Sequence, residues 1–197
     1  MIGAVVLAAG AGARLGGVAK ALCQLDGGET FLAAIARTAR AAGVEAIVVV
    51  AGPPHGEPIR AAARALGLAI AWNDDPARGM ASSIARGFAA LVEDRALDAG
   101  LLWPVDHPRI AAHVIAQLCA ARGDADAAIP TFAERGGHPA LVGRALWPAL
   151  IAGDHPDGAR GVLRAARTVR VAVDDPGVRR DVDTPEALAA MHATGPE

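Results

Sequence analysis

Short, unbroken apolar runs alternate along the chain with longer segments rich in Ala, Leu and Arg. The runs predict strands over Ile2–Ala8, Ala46–Ala51, Leu68–Trp72, Gly100–Val105, Ala127–Pro130, Ala140–Val142 and Val169–Val173. The segments between them predict helices over Thr30–Ala42, Pro58–Leu66, Ser82–Asp94, Ala111–Ala121, Arg144–Ile151, Ala159–Ala166 and Pro185–His192. Strands that are apolar on both faces and separated by helices belong to an α/β fold with a largely parallel sheet. His138-Pro139, leading into the sixth run, marks an edge or a break in that alternation. Open α/β sheets bind ligands beyond the carboxyl ends of their strands. The segments that follow strands are therefore where chemistry is sought.

Composition narrows the field. The chain has 197 residues, about one domain's worth, and no repeat or linker divides it. Nineteen basic residues stand against 21 acidic ones, which argues against a nucleic-acid binder. A hydrophobic content of 53% argues against disorder. The apolar N-terminal run reads as a buried strand rather than a secretion signal, because no positive charge precedes it. No run is long enough to span a membrane. Cys23 and Cys119 are expected as free thiols in a reducing cytoplasm, and the six scattered His do not form a zinc motif. Of the 19 basic residues only one, Lys20, is a lysine. In a chain this biased toward Arg, a lone Lys is either a leftover or a position that Arg cannot serve.

Lys20 closes the loop after the first strand, Leu7-Ala8-Ala9-Gly10-Ala11-Gly12-Ala13-Arg14-Leu15-Gly16-Gly17-Val18-Ala19-Lys20. Small residues let backbone N–H groups approach an anion, and Arg14 and Lys20 add positive charge. A dinucleotide fingerprint fails, because Leu15 stands at the third glycine position and Val50-Ala51-Gly52 supplies no acid after the second strand. A Walker A loop fails too, because Lys20 lies between Ala19 and Ala21. What remains is a phosphate loop of another kind, or a glycine-rich turn with two solvated cations.

Five further segments carry candidate residues in the same way. In Arg78-Gly79-Met80-Ala81-Ser82-Ser83 either Ser serves as a helix cap, or the helix N-terminus supplies donors to a ligand. In Trp103-Pro104-Val105-Asp106-His107-Pro108, Asp106 is a natural first ligand for Mg²⁺ beside phosphate oxygens, or a cap for the next helix. In Asp181-Val182-Asp183-Thr184-Pro185, Asp183 is a cap before a helix-starting Pro, or a functional carboxylate. Arg135-Gly136-Gly137-His138-Pro139 and Gly158-Ala159-Arg160-Gly161 bring His138 and Arg160, either structural or suited to an anionic ligand.

Taken together, these motifs resemble those of the nucleotidyltransferases with a GT-A-like α/β fold, from Leu7 to Glu186. Among them they are most similar to the molybdenum cofactor cytidylyltransferase/guanylyltransferase group. The resemblance implies a three-layer α/β/α Rossmann-like fold with a mostly parallel, mixed sheet, and one nucleotidyltransferase domain over residues 1–197. It implies that Leu7, Ala8, Ala9, Gly10 and Gly12 wrap a nucleoside triphosphate whose phosphates Arg14 and Lys20 contact. Gly79, Ser82 and Ser83 would lie against base and ribose. Asp106 and then Asp183, ahead of Asp181, would hold Mg²⁺ or Mn²⁺. His138, Arg160 and Asp181 would face the acceptor.

The expected reaction is attack by an acceptor phosphate oxygen on the α-phosphorus, with pyrophosphate leaving. Leu-Ala-Ala-Gly resembles the CTP users, and the Ala9 methyl group takes room that a purine would need. CTP is thus the expected donor and the phosphorylated pterin of the molybdenum cofactor the expected acceptor, with delivery to a molybdenum enzyme as a further role. Two alternatives stand beside this reading. One is a sugar-phosphate or other small-acceptor nucleotidyltransferase, and the other is a non-catalytic module that carries the cofactor.

Overall fold

The computed structural model describes residues 1–193. Its strands are β1 (Ile2–Leu7), β2 (Ala46–Ala51), β3 (Ala69–Trp72), β4 (Ala99–Pro104), β5 (Ala127–Phe132), β6 (Arg135–Gly136), β7 (Ala140–Gly143) and β8 (Thr168–Ala172). Its helices are α1 (Phe31–Ala41), α2 (Gly56–Ala65), α3 (Met80–Leu91), α4 (Ala112–Arg122), α5 (Trp147–Ala152), α6 (Gly158–Ala165) and α7 (Pro185–Ala193). All seven expected strands and all seven expected helices are present, each displaced by no more than a few residues. Helix α1 begins as its sequence dictates, with Thr30 Oγ1 accepting from the Ala33 N–H at 3.2 Å.

The strands form one mixed sheet in the order β3-β2-β1-β4-β7-β5-β6, with β8 paired to β5. Strands β1 to β4 are mutually parallel, and β8 is parallel to β5. The break anticipated at His138-Pro139 is real. Strands β5, β6 and β7 follow one another without a helix, and β7 runs antiparallel to both β4 and β5. Strand β7 is not an edge, however. It lies inside the sheet, between β4 and β5.

Side chains alternate between two helical layers, as the pleat of a strand requires. In β1, Ala4 and Val6 face the layer containing Phe31, Ile35 and Ile115. Val5 and Leu7 face the layer containing Phe88, Trp147 and Leu163. Trp103 and Trp147 are fully buried, and each indole N–H has a carbonyl partner, His107 at 3.0 Å and Val142 at 3.1 Å. Helix α3 crosses the sheet at Gly87, where a Cβ would run into Val5 and Val50. That close approach brings the N-terminal end of α3 to the carboxyl edge of β1 and β4.

Helix α3 starts at Met80, two residues before the expected Ser82. Gly79, with φ +94°, acts as the cap residue, so neither Ser82 nor Ser83 caps the helix. Among the described residues, no helix is long and apolar enough to cross a membrane.

Candidate active site

The loop after β1 folds back on itself. The N–H groups of Leu15 and Gly17 both donate to the Gly12 carbonyl at 2.9 Å, and Leu15 is buried beneath. Gly12 has φ +64°, and a Cβ there would strike the Val18 carbonyl. Only glycine meets both conditions. The closed loop projects Arg14 outward and returns the chain so that Lys20 faces the end of β4.

Two cation–carboxylate pairs meet over this loop. Lys20 Nζ donates to Asp106 Oδ2 at 2.9 Å, with both side chains mostly shielded from solvent. Arg14 Nη1 pairs with Asp183 Oδ2, and Asp183 is the better buried partner. One backbone bond holds the carboxylates together: the Val182 N–H donates to the Asp106 carbonyl at 2.8 Å. Val182 is buried, while its neighbours Asp181 and Asp183 line the cavity. The role of helix cap falls to Thr184, whose Oγ1 accepts from the Ala187 N–H at 3.2 Å. Asp183 is left to face the loop.

The cavity encloses about 550 Å³. Its wall includes every residue from Leu7 to Arg14, together with Lys20, Gly79, Met80, Ser83, Asp106, His107, His138, Asp181 and Asp183. Thus most of the expected site residues converge. Two do not. Ser82 is turned away, its hydroxyl donating to the Gly79 carbonyl at 2.7 Å. Arg160 lies on a second cavity of about 850 Å³, which meets the first at Met80 and His138.

Three polar residues to which the sequence reading assigned no role stand at the site. Asn73, buried just past β3, donates through Nδ2 to Ser82 Oγ at 2.9 Å and to Ser83 Oγ at 3.0 Å. It braces the start of α3, and an Asn directly after a predicted strand was the available clue. His55 Nε2 donates to the Ala11 carbonyl at 3.2 Å and tethers the loop to α2. His107 is buried, with Nδ1 donating to the Gly177 carbonyl at 3.3 Å. Its ring lies 4.9 Å from that of His138, centre to centre. Burial, and then the neighbouring His107, push the His138 imidazole down to about 4 from its ordinary 6.5. A neutral His138 therefore lies at the junction of the two cavities.

Among the described residues, no cluster of three or more His, Cys, Asp or Glu is built to hold a metal unaided. Asp106 and Asp183, each matched by a cation, fit a different arrangement. Two carboxylates suffice for a divalent cation whose remaining ligands are phosphate oxygens and water.

The mostly parallel part of the sheet thus ends in a glycine loop, two cations and two carboxylates, the arrangement of an α/β protein whose site suits an anionic ligand. Residues 4–172 match the family model described as the MobA-like NTP transferase domain, and the chain belongs to that family. A curated relative, the nicotine blue oxidoreductase of Paenarthrobacter nicotinovorans, is 30% identical over 196 residues, 93% of each chain. Rv0371c from Mycobacterium tuberculosis H37Rv superimposes with a TM-score of 0.83 at 24% identity, over 98% of both chains. The same protein solved in complex with manganese gives 0.76, again at 24% identity, over 98% of this chain and 99% of that one. An Rv0371c homologue from Mycobacterium sp. strain JC1 is 31% identical over 96% of both chains, with a TM-score of 0.76.

Proposed function

We propose that this protein transfers CMP from CTP to a phosphorylated acceptor and releases pyrophosphate. The observation that carries the reading is the pairing of Lys20 with Asp106 and of Arg14 with Asp183 over one glycine-rich loop. In each pair a group suited to a phosphate is stored against a group suited to a cation. A triphosphate entering with its cation exchanges both pairs at once.

In this reading the backbone from Leu7 to Gly12, with Ala8, Ala9 and Gly10, wraps the triphosphate. Arg14 and Lys20 bind its phosphates and stabilise charge on the departing pyrophosphate. Gly79 and Ser83 lie against base and ribose, and Ser82 acts through its bond to Asn73. Asp106 and Asp183 would hold a divalent cation, Mg²⁺ with Mn²⁺ as a substitute, as the manganese complex of Rv0371c encourages. When bound, such a cation offsets phosphate charge and polarises the phosphoryl group. His138, Arg160 and Asp181 orient the acceptor. Its phosphate oxygen is already ionised at neutral pH, so no side chain is needed as a base.

CTP as donor rests on the small, buried Ala9 beside the loop. A phosphorylated pterin as acceptor, with later delivery to a molybdenum enzyme, rests on the Gly-His-Pro and Gly-Ala-Arg motifs around His138 and Arg160. The chain acts as one domain in the cytoplasm. Pyrophosphate release with CTP, Mg²⁺ and molybdopterin, in competition with a sugar phosphate, tests donor and acceptor together. The name of the curated relative supports a second reading, an oxidoreductase. Consumption of NADH or NADPH without pyrophosphate release would favour it. The missing third glycine and the missing acid after β2 weigh against it.

A further inference from the structure

The second cavity has a composition of its own. Five of the chain's 18 Arg line it, namely Arg135, Arg160, Arg164, Arg170 and Arg179, against one acid, Glu134. The chain as a whole is slightly acidic, with a net charge of -2. The side chains of Arg135, Arg160 and Arg170 make no ion pair or hydrogen bond among the described residues. Arg164, four residues after Arg160 on α6, pairs with Asp157 at 3.3 Å, a solvent-exposed contact worth little that an incoming anion can replace. Beneath the arginines the floor is apolar, formed by Ile84, Leu102, Ile129 and Leu163.

Position adds a length. Arg170 in β8 lies opposite Ile129 in β5, three residues before the end of that strand at Phe132. At about 3.3 Å per residue, Arg170 sits roughly 10 Å back from the carboxyl edge, where the two cavities meet. An acceptor phosphate at the junction, beside His138, would leave Arg164 and Arg170 facing a different part of the molecule.

We infer that Arg164 and Arg170 form a second anion subsite for an acceptor with a flat, apolar body and an anionic group remote from its attacking phosphate. This rests on reading the second cavity as the acceptor side. A sugar would need hydrogen-bonding side chains for its hydroxyls, and apart from the Arg and His138 the cavity offers only Thr168 and Glu134. An arginine-rimmed apolar floor suits a planar ring system with anions on its edge.

The test uses 1,3,6,8-pyrenetetrasulfonate, a flat polyanion, titrated by fluorescence anisotropy into the full-length protein. Binding to Arg164→Ala/Arg170→Ala should be at least tenfold weaker than to the unaltered protein, and Arg164→Lys/Arg170→Lys should recover part of the loss. The control Arg64→Ala/Arg95→Ala, which removes the same charge from exposed positions elsewhere, should bind as the unaltered protein does. Glucose 1-phosphate should fail to displace the probe. Equal binding to the alanine variant, or an equal loss in the control, overturns the subsite. Thermal stabilisation by CTP with Mg²⁺ should be the same in both variants. If that stabilisation is absent throughout while the arginine dependence persists, the subsite stands and the nucleotide reading falls.

Discussion

Lys20 Nζ lies 2.9 Å from Asp106 Oδ2, so the only lysine of the chain is matched to the carboxylate at the end of β4. A bidentate guanidinium would hold that carboxylate in a fixed plane, whereas an ammonium on a flexible stem can let go and follow a phosphate. The lone Lys of an otherwise Arg-based composition thereby gains a physical reason. Lys20→Arg should lower kcat for pyrophosphate release by at least about tenfold, with the fold intact by circular dichroism. Near-normal turnover would make Lys20 a compositional leftover.

Asp106→Asn should keep the shape of the site but remove its charge. Loss of one preorganised charge-stabilising group commonly costs about 10²–10³-fold in turnover. A similar loss is expected here, measured as pyrophosphate release at saturating CTP and Mg²⁺. Activity that survives Asp106→Asn would remove Asp106 from the cation site.

Gly12→Ala tests the loop. The new Cβ meets a left-handed backbone and the Val18 carbonyl. Left-handed φ alone costs an L-residue about 1–2 kcal/mol, and the collision adds to it. The urea midpoint should fall, and CTP should stabilise the variant less than the unaltered protein.

Thr184→Ala should remove the cap of α7 at a cost of about 1 kcal/mol, read as a lower melting temperature. The same substitution loosens the segment that presents Asp183. KM for the nucleotide should therefore rise more than kcat falls.

His138 gives stability a pH dependence of known sign. Its imidazole titrates near 4 when folded and near the ordinary 6.5 when unfolded, so the unfolded chain takes up the proton first. The contribution is full above about pH 6.5, declines as pH falls toward 4, and is flat below that. The loss amounts to at most about 3.4 kcal/mol. Chemical denaturation of the unaltered protein and of His138→Gln across pH 4–7 should show the slope shrinking in the variant. Parallel curves would place His138 in a wetter environment than its burial indicates.

The sheet was legible because strands buried on both faces are written as unbroken apolar runs, as in Ala46–Ala51 and the start of β1. Arg14, Lys20 and Asp106 were legible because they follow such runs. Asp183 was ambiguous, since Asp-Thr-Pro is also a helix start, and only the bond to Thr184 Oγ1 separates the two roles. The start of α3 was misplaced by two residues. Serine's preference for caps pointed to Ser82, while the positive φ of Gly79 put the boundary earlier. Strand β6 is two residues long, too short for any period to show. The meeting of His107 and His138 joins the ends of β4 and β7, a pairing fixed by an antiparallel insertion that local patterns do not encode. Arg160 carried a motif but no hint that it belongs to a separate cavity.

The central claim is that the exchangeable pairs around Lys20 and Arg14 receive a triphosphate together with its cation. Thermal unfolding with ATP, GTP, CTP and UTP, each with and without Mg²⁺, measures this most directly. A ligand at a hundred times its Kd adds about 2.7 kcal/mol to the folded state. The account predicts that CTP stabilises the protein most and does so only when Mg²⁺ is present. Stabilisation by no nucleotide would contradict the site, and a preference for GTP would contradict the argument from Ala9.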